Sequence, residues 1–306
     1  MPRRLRDRRS VVFTGNDRRR STPPSGRLID WLAVRQIFPA PATTPEIGSV
    51  GDGDDPPAVA AVAAFAELYA YPDPATRAAP WVRANMVASV DGAGSIDARS
   101  GGLSGDADRT LFKVLRSLAD VILAGAGTAR SERYRPVRDG EVWPRLRQGR
   151  TPTPPIAVVT RGLSISADDP LLTSAPEGAR TIVLTTQAAP PARRAAVARH
   201  ADLVVAGRDE VSPADAVSAL AERGHRCILL EGGPTLLGQF AVAGLLDELC
   251  LTVSPLLEGG NAGRIMAAPP DVKPGRDDDG GIAGLSLGHV LEDRGFLFCR
   301  YRSASD

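Results

Sequence analysis

Five short apolar runs, spaced along the second half of the chain, govern what it can fold into. They are DVILAG at 120–125, IAVVT at 156–160, TIVLTT at 181–186, DLVVAG at 202–207 and CILLE at 227–231. The last of these, short and continuously apolar over 228–230, reads as a buried strand of the kind found in parallel sheets, and the other four read as strands. Between them lie helix-like stretches at 106–118, 191–200 and 213–223, and another begins at Pro234. Strands alternating with helices predict an α/β fold with a largely parallel central sheet flanked by helices. Two further strands are expected at 81–92, ending in an Asp91-Gly92 turn, and at 247–255. The closing stretch RGFLFCRYR at 294–302 alternates, and is expected to pair antiparallel at a sheet edge.

In such sheets ligands bind beyond the carboxyl ends of the strands. The stretch RCILLEGGPTLLGQF at 226–240 runs from strand to twin glycine to helix N-terminus. Its helix start offers unpaired N–H groups and a positive dipole end, which suit an anion. An ordinary tight strand-to-helix connection has the same residues. A second turn, Gly125-Ala126-Gly127-Thr128-Ala129-Arg130, also leads from strand to helix, without the third glycine of the Rossmann fingerprint. Two such turns in one sheet favour a dinucleotide over a single phosphate. A third strand-end loop, Ala88-Ser89-Val90-Asp91-Gly92, is compatible with a simple turn.

Composition narrows the alternatives. The 306 residues are 43% hydrophobic and 24% charged, as in ordinary soluble domains, and no apolar stretch is long enough for a membrane span. The cytoplasm is the expected location. Cys227, Cys250 and Cys299 stand apart, and the three histidines are scattered, so neither a metal site nor a disulfide framework is expected. There is no GxxxxGK[ST] run for a P-loop. Residues 1–20 carry eight arginines against Asp7 and Asp17, which leaves the remainder mildly acidic and argues against a nucleic-acid-binding body. Residues 1–26 are predicted to be a disordered arginine-rich extension, and 27–79 an N-terminal segment and linker with a short helix at 59–69.

Four stretches in order carry a resemblance: WVRANMVASVDG, SGGLSGDADRTLFKVLRSLADVILAGAGTAR, EGGPTLLGQF and LLDELCLTVSPLLEGG. Together they resemble the reductase domain of riboflavin-biosynthesis pyrimidine reductases over roughly residues 80–302. The resemblance implies a dihydrofolate-reductase-like fold, NADPH as cofactor, a small-molecule substrate and a homodimer. The H-x-E…P-C-x-x-C signature of the deaminase domain fused to many such reductases is absent, which implies a stand-alone form. Ala88 and Asp91 would lie near the nicotinamide. Gly125, Ala126, Gly127 and Thr128 would cradle phosphate, together with Gly232, Gly233, Pro234, Thr235 and Leu236. Thr160 and Arg161 would meet the adenosine ribose, where an arginine suits a 2′-phosphate. Arg116 matches a substrate-binding arginine; Ser100, Ser104 and Arg138 would help hold a ribose phosphate, and Glu231 would meet the substrate ring. Asn85 stands where the family commonly has lysine, and Ser131-Glu132-Arg133-Tyr134 replaces an Asp-Asp-Pro, leaving Asn85 and Glu132 as the catalytic candidates.

The expected activity is NADPH-dependent reduction of a ribosylamino-pyrimidine phosphate to its ribitylamino form. Asn85 keeps open a dihydrofolate- or pterin-reductase-like activity on the same fold. A non-catalytic nucleotide-binding module, its arginine tail recruiting RNA, is the alternative from another class.

Overall fold

The computed structural model describes residues 34–39, 46–47, 56–267 and 284–303. The arginine-rich segment 1–26 and most of the glycine-, proline- and aspartate-rich loop at 258–281 lie outside them. The strands are β1 (Val34–Phe38), β2 (Glu46–Ile47), β3 (Trp81–Ser89), β4 (Val121–Gly125), β5 (Ile156–Val159) and β6 (Ile182–Thr185). The later ones are β7 (Asp202–Val205), β8 (Cys227–Leu230), β9 (Glu248–Ser254), β10 (Leu285–Asp293) and β11 (Phe296–Ser303). The α-helices are α1 (Pro56–Leu68), α2 (Asp106–Leu118), α3 (Ala126–Ser131), α4 (Pro170–Thr173), α5 (Pro191–Ala198), α6 (Pro213–Ala221) and α7 (Pro234–Val242).

These strands form one sheet in the order β2-β1-β10-β11-β9-β3-β8-β4-β5-β6-β7. Every pairing from β9 to β7 is parallel, and every pairing from β9 outward to β2 is antiparallel. All four residues of β6 and of β8 are buried, as continuous apolar runs require in a sheet covered on both faces. Edge strand β7 has no buried residue.

The antiparallel part is larger than the sequence indicated. The closing strand β11 lies inside the sheet, between β9 and β10, because β10 and β1 continue it outward. Strand β10 (LSLGHVLED) escapes pattern reading for a physical reason. It contains Gly288, its pairing with β11 shifts register between Leu287 and His289, and its first four residues are exposed. The stretch 27–79, read as an N-terminal segment and linker with a short helix, thus contributes β1 to the sheet, and its helix α1 packs on α2.

Two cores cover the two faces. On one, Phe65 and Tyr69 near the end of α1 and Leu111, Val114 and Leu115 of α2 pack with Ile122, Leu229, Cys250 and Phe298. On the other, Ala216, Ala219 and Leu220 of α6 and Leu236, Leu237 and Phe240 of α7 pack with Val82, Ala84, Val121 and Leu123. The first face also buries an ionic network. Glu248 on β9 accepts from Arg83 Nε on β3 at 2.6 Å and from Arg300 Nε on β11 at 2.8 Å. Burial pushes the Glu248 carboxyl up, but the two guanidiniums outweigh it and hold it below the ordinary range. Arg300 also donates to the Leu68 carbonyl at the end of α1, so the network fastens the helix to both parts of the sheet.

Candidate functional site

Strands β3, β4, β5 and β8 end on the same side, and the turns that leave them enclose two adjoining clefts. The first, of about 650 Å³, is walled by the turn from β4 to α3, the loop after β5 and the turn from β8 to α7. Gly125, Ala126, Gly127, Thr128, Thr160, Arg161, Gly233, Pro234, Thr235 and Leu236 all line it. Helices α3 and α7 both begin on this cleft, and the N–H groups of a helix's first turn have no acceptor within the helix. A Cβ at Gly127 would stand in open space, with no atom within 4 Å. Gly232 does not line the cleft. It sits at φ +89, a conformation that favours glycine, and its carbonyl accepts from Gly125 N at 2.8 Å, joining the two turns. Gly232 and Gly233 are linked by a cis peptide bond.

Arg161 is an exposed residue of this cleft's wall, with no ion pair among the described residues. Its carbonyl accepts from the hydroxyls of Thr185 and Thr186, at 3.2 and 3.1 Å, so its backbone is held while its side chain is free to meet an anion. Glycine turns, helix starts and an exposed arginine in one groove fit a ligand that carries phosphates.

The second cleft, of about 720 Å³, lies between the end of β3, the first turns of α2 and the segment after α3. Asn85, Ser100, Ser104, Arg116, Glu132, Arg138 and Glu231 line it, and Thr128, Ser131, Gly233 and Pro234 belong to both clefts. Six arginines line this cleft, against four carboxyl side chains. Of the six, all but Arg116 are exposed: Arg109, which pairs with Asp106, and Arg133, Arg135, Arg138 and Arg264.

Several of these side chains are already engaged. Arg116 makes a two-pronged contact with Glu231, Nε to Oε1 at 2.8 Å and Nη2 to Oε2 at 2.9 Å, and its remaining nitrogen Nη1 is 3.6 Å from Glu141. Burial opposes the charge on Arg116, but Glu231 more than restores it, leaving its pKa above the ordinary arginine value. Its guanidinium also lies 4.2 Å from the centre of the Phe112 ring. Tyr134 donates its hydroxyl to Glu231 Oε2 at 2.6 Å. Burial first, and then Glu231, push the Tyr134 pKa well up, so the phenol stays a donor. Glu132 accepts from Ser100 N at 2.8 Å, tying the end of α3 to the loop before α2. Asn85 Oδ1 is buried without a hydrogen-bond partner.

Two expected contacts lie elsewhere. Ala88 is buried and lines neither cleft. Asp91 lies past the end of β3, where its carboxylate accepts from the Ser89 hydroxyl and from the N–H groups of Glu258 and Gly259. Those bonds hold its pKa down to about 2 and give it a loop-fastening part. Sequence reasoning passed over Tyr134, Glu141, Phe112, Arg264 and Asp108, all of which line the second cleft. Asp108 was legible only as an acidic residue in a helix's first turn. Among the described residues, no group of three or more histidine, cysteine, aspartate or glutamate side chains is placed to hold a metal ion, and no helix is long and apolar enough to cross a membrane.

Fold and clefts together define an α/β protein of dihydrofolate-reductase-like architecture, with its site at the carboxyl ends of the parallel strands. Residues 80–276 match the RibD C-terminal domain model, and the chain belongs to that family. It is 29% identical over 184 residues to the 2,5-diamino-6-ribosylamino-4(3H)-pyrimidinone 5′-phosphate reductase of Archaeoglobus fulgidus, covering 59% of this chain and 83% of that one. The protein of the same name from Methanothermobacter thermautotrophicus is 28% identical over 191 residues, with 61% and 83% covered. Among solved structures, a pyrimidine reductase-like protein from Corynebacterium diphtheriae superposes with a TM-score of 0.63 at 26% identity, over 79% of this chain and 99% of that one.

Proposed function

We propose that this chain is an NADPH-dependent reductase of a phosphorylated ribosylamino-pyrimidine, the reaction class named for its archaeal relatives. The observation that carries this reading is the shared wall. A cleft with a phosphate-cradle layout and a cleft rich in arginine meet at Thr128, Ser131, Gly233 and Pro234, so two ligands can lie in contact there. When bound, the cofactor would supply hydride; the protein binds, orients and keeps water from the junction. Gly125 to Thr128 and Gly233 to Leu236 would hold its phosphates, and Arg161 a 2′-phosphate.

In the second cleft Arg116 is spoken for by Glu231. The substrate phosphate therefore meets the exposed arginines, with Arg138 the first among them and Ser100 and Ser104 beside it. Arg116 and Tyr134 instead hold the Glu231 carboxylate in one orientation against the substrate ring. Asn85, an amide, offers hydrogen bonds but no transferable proton.

The test follows the loss of reduced-nicotinamide absorbance with the ribosylamino-pyrimidine phosphate and, separately, with dihydrofolate. Turnover of the pyrimidine is expected with NADPH and much less with NADH. Arg161→Ala should erase most of that preference, and Arg138→Ala should cost roughly ten- to a hundredfold in kcat/KM, as for a lost charge-assisted contact. Turnover of dihydrofolate alone would replace the reading. A homodimer belongs to the proposal too. Strands β9 and β11 each have a partner on both edges, so a dimer would form by face packing, and light scattering at micromolar concentration would show twice the chain mass.

A further inference from the structure

The reduction proposed above consumes a proton as well as a hydride, and the second cleft contains one carboxyl group poised to give it. Of its four carboxyl side chains, Glu231 is gripped by Arg116 and Tyr134, Glu141 is bonded to Arg138 N and lies by Arg116, and Glu132 accepts from Ser100 N. Asp108 differs. It is only 7% exposed, has no ion pair among the described residues, and lines the cleft. Its Oδ1 accepts from the Thr252 hydroxyl at 2.6 Å, which fixes the carboxyl group in the cleft wall. Thr252 stands opposite Val87 on neighbouring strands, and Asn85 is two residues back along β3, so Asp108 and the orphaned Asn85 Oδ1 belong to one region of the cleft.

The surroundings shift this group toward its protonated form. Burial raises its pKa; hydrogen bonds from Ser104 and Thr252, and the charge of Arg109, pull the other way without cancelling the rise. Arg109, on the same helix, is bonded to Asp106. The residues facing it from β9 and β3, Thr252, Val87 and Asn85, are uncharged.

We propose that Asp108 is the general acid of the site, donating its carboxyl proton to the substrate. This rests on the reductase reading. In the relatives' substrate the sugar is joined through an amine, so its open-chain form carries a C=N bond at that linkage. As hydride from a reduced nicotinamide makes the new C–H bond, the π pair of C=N moves onto nitrogen. There it bonds the proton that leaves Asp108, and the resulting carboxylate regains a proton from water.

Three measurements decide the matter. In the free protein labelled with ¹³C-carboxyl aspartate, the signal lost in Asp108→Asn should titrate above the ordinary aspartate range; a signal at or below that range overturns the proposal. Unfolding gives a second readout. A carboxyl whose folded pKa is raised costs stability increasingly as the pH climbs from its unfolded value through the folded one, so Asp108→Asn should be relatively more stable at neutral than at acid pH. A stability difference independent of pH counts against a neutral acid. Third, with NADPH and the ribosylamino-pyrimidine phosphate, Asp108→Asn should lower kcat roughly 10²–10⁴-fold with KM little changed, and abolish the fall in wild-type kcat as the pH rises. An active wild type with an equally active Asp108→Asn of unchanged pH profile removes proton delivery alone. A wild type that turns over no such substrate removes the reductase reading and proton delivery with it, while the titration still reports on the acid itself.

Discussion

Gly232 and Gly233 are adjacent and serve different physical needs. Gly232 is required by its backbone, at φ +89. Gly233 has φ −76, which any residue adopts; what excludes a side chain there is Thr128, whose Oγ1 lies 2.3 Å from where a Cβ would stand. A hydroxyl can turn away where a backbone cannot. Gly233→Ala is therefore expected to cost about 1–3 kcal/mol in urea unfolding, as overpacking does, and most of that cost should vanish in a Thr128→Ala background. Additive effects of the two substitutions would show that the threonine is not the obstacle. The twin glycine was legible in the sequence as a turn at a ligand site, but the division of labour was not, since it depends on a residue in another turn. The same limit hid Tyr134, whose bond to Glu231 spans 97 residues, and the Arg116–Glu231 pair, which spans 115.

At the scale of an element, α2 shows how a helix can be read correctly and its anchoring missed. Its acidic start and its apolar face of Leu111, Val114 and Leu115 were plain from spacing. Its end is held by Arg147, only 3% exposed, which lies 28 residues beyond Ala119. Arg147 Nη1 donates to the carbonyls of Ser117 at 3.1 Å and Ala119 at 2.8 Å, and Nε to that of Thr151 at 2.7 Å. Burial and the neighbouring Arg150 push its pKa down to about 10. A guanidinium is used here as a fan of donors for carbonyls that a helix end leaves unpaired. Arg147→Met would keep the stem and strand those carbonyls, at roughly 1–3 kcal/mol. Hydrogen exchange should quicken over the last turn of α2, which holds Arg116, before it does in β4. Unchanged protection there would assign the fan no part in holding the helix.

For the whole molecule, the parallel sheet was legible because a strand buried on both faces must be apolar throughout. The antiparallel extension was not, because β1 and β10 are partly exposed and broken by a register shift. What joins the two regions is polar. Glu248 links β3, β9 and β11, and the carbonyls of Leu68 and Ala70 take further donors from Arg300 and Arg83. Glu248→Gln would leave two buried guanidiniums without a counter-charge and should cost about 3–5 kcal/mol in urea unfolding. Replacing Arg83, Glu248 and Arg300 together by apolar residues should cost far less. Because the folded pKa of Glu248 is lowered, its contribution is complete above the unfolded value of about 4.3 and is lost as the pH falls through the folded one. An unaltered midpoint in Glu248→Gln would sink this account of the junction.

The wall common to both clefts has a bearing on how such a protein can be altered. Thr128, Ser131, Gly233 and Pro234 line both clefts, so with the two ligands proposed above a substitution there would change the affinity for each, and by linkage each ligand would change the affinity for the other. Arg161 lines only the first cleft and Arg138 only the second. On the roles proposed above, preference for one dinucleotide over another would therefore drift at Arg161, and preference among phosphorylated substrates at Arg138, each leaving the other untouched. The shared wall has no such freedom, and a redesign that begins there must retune both specificities together.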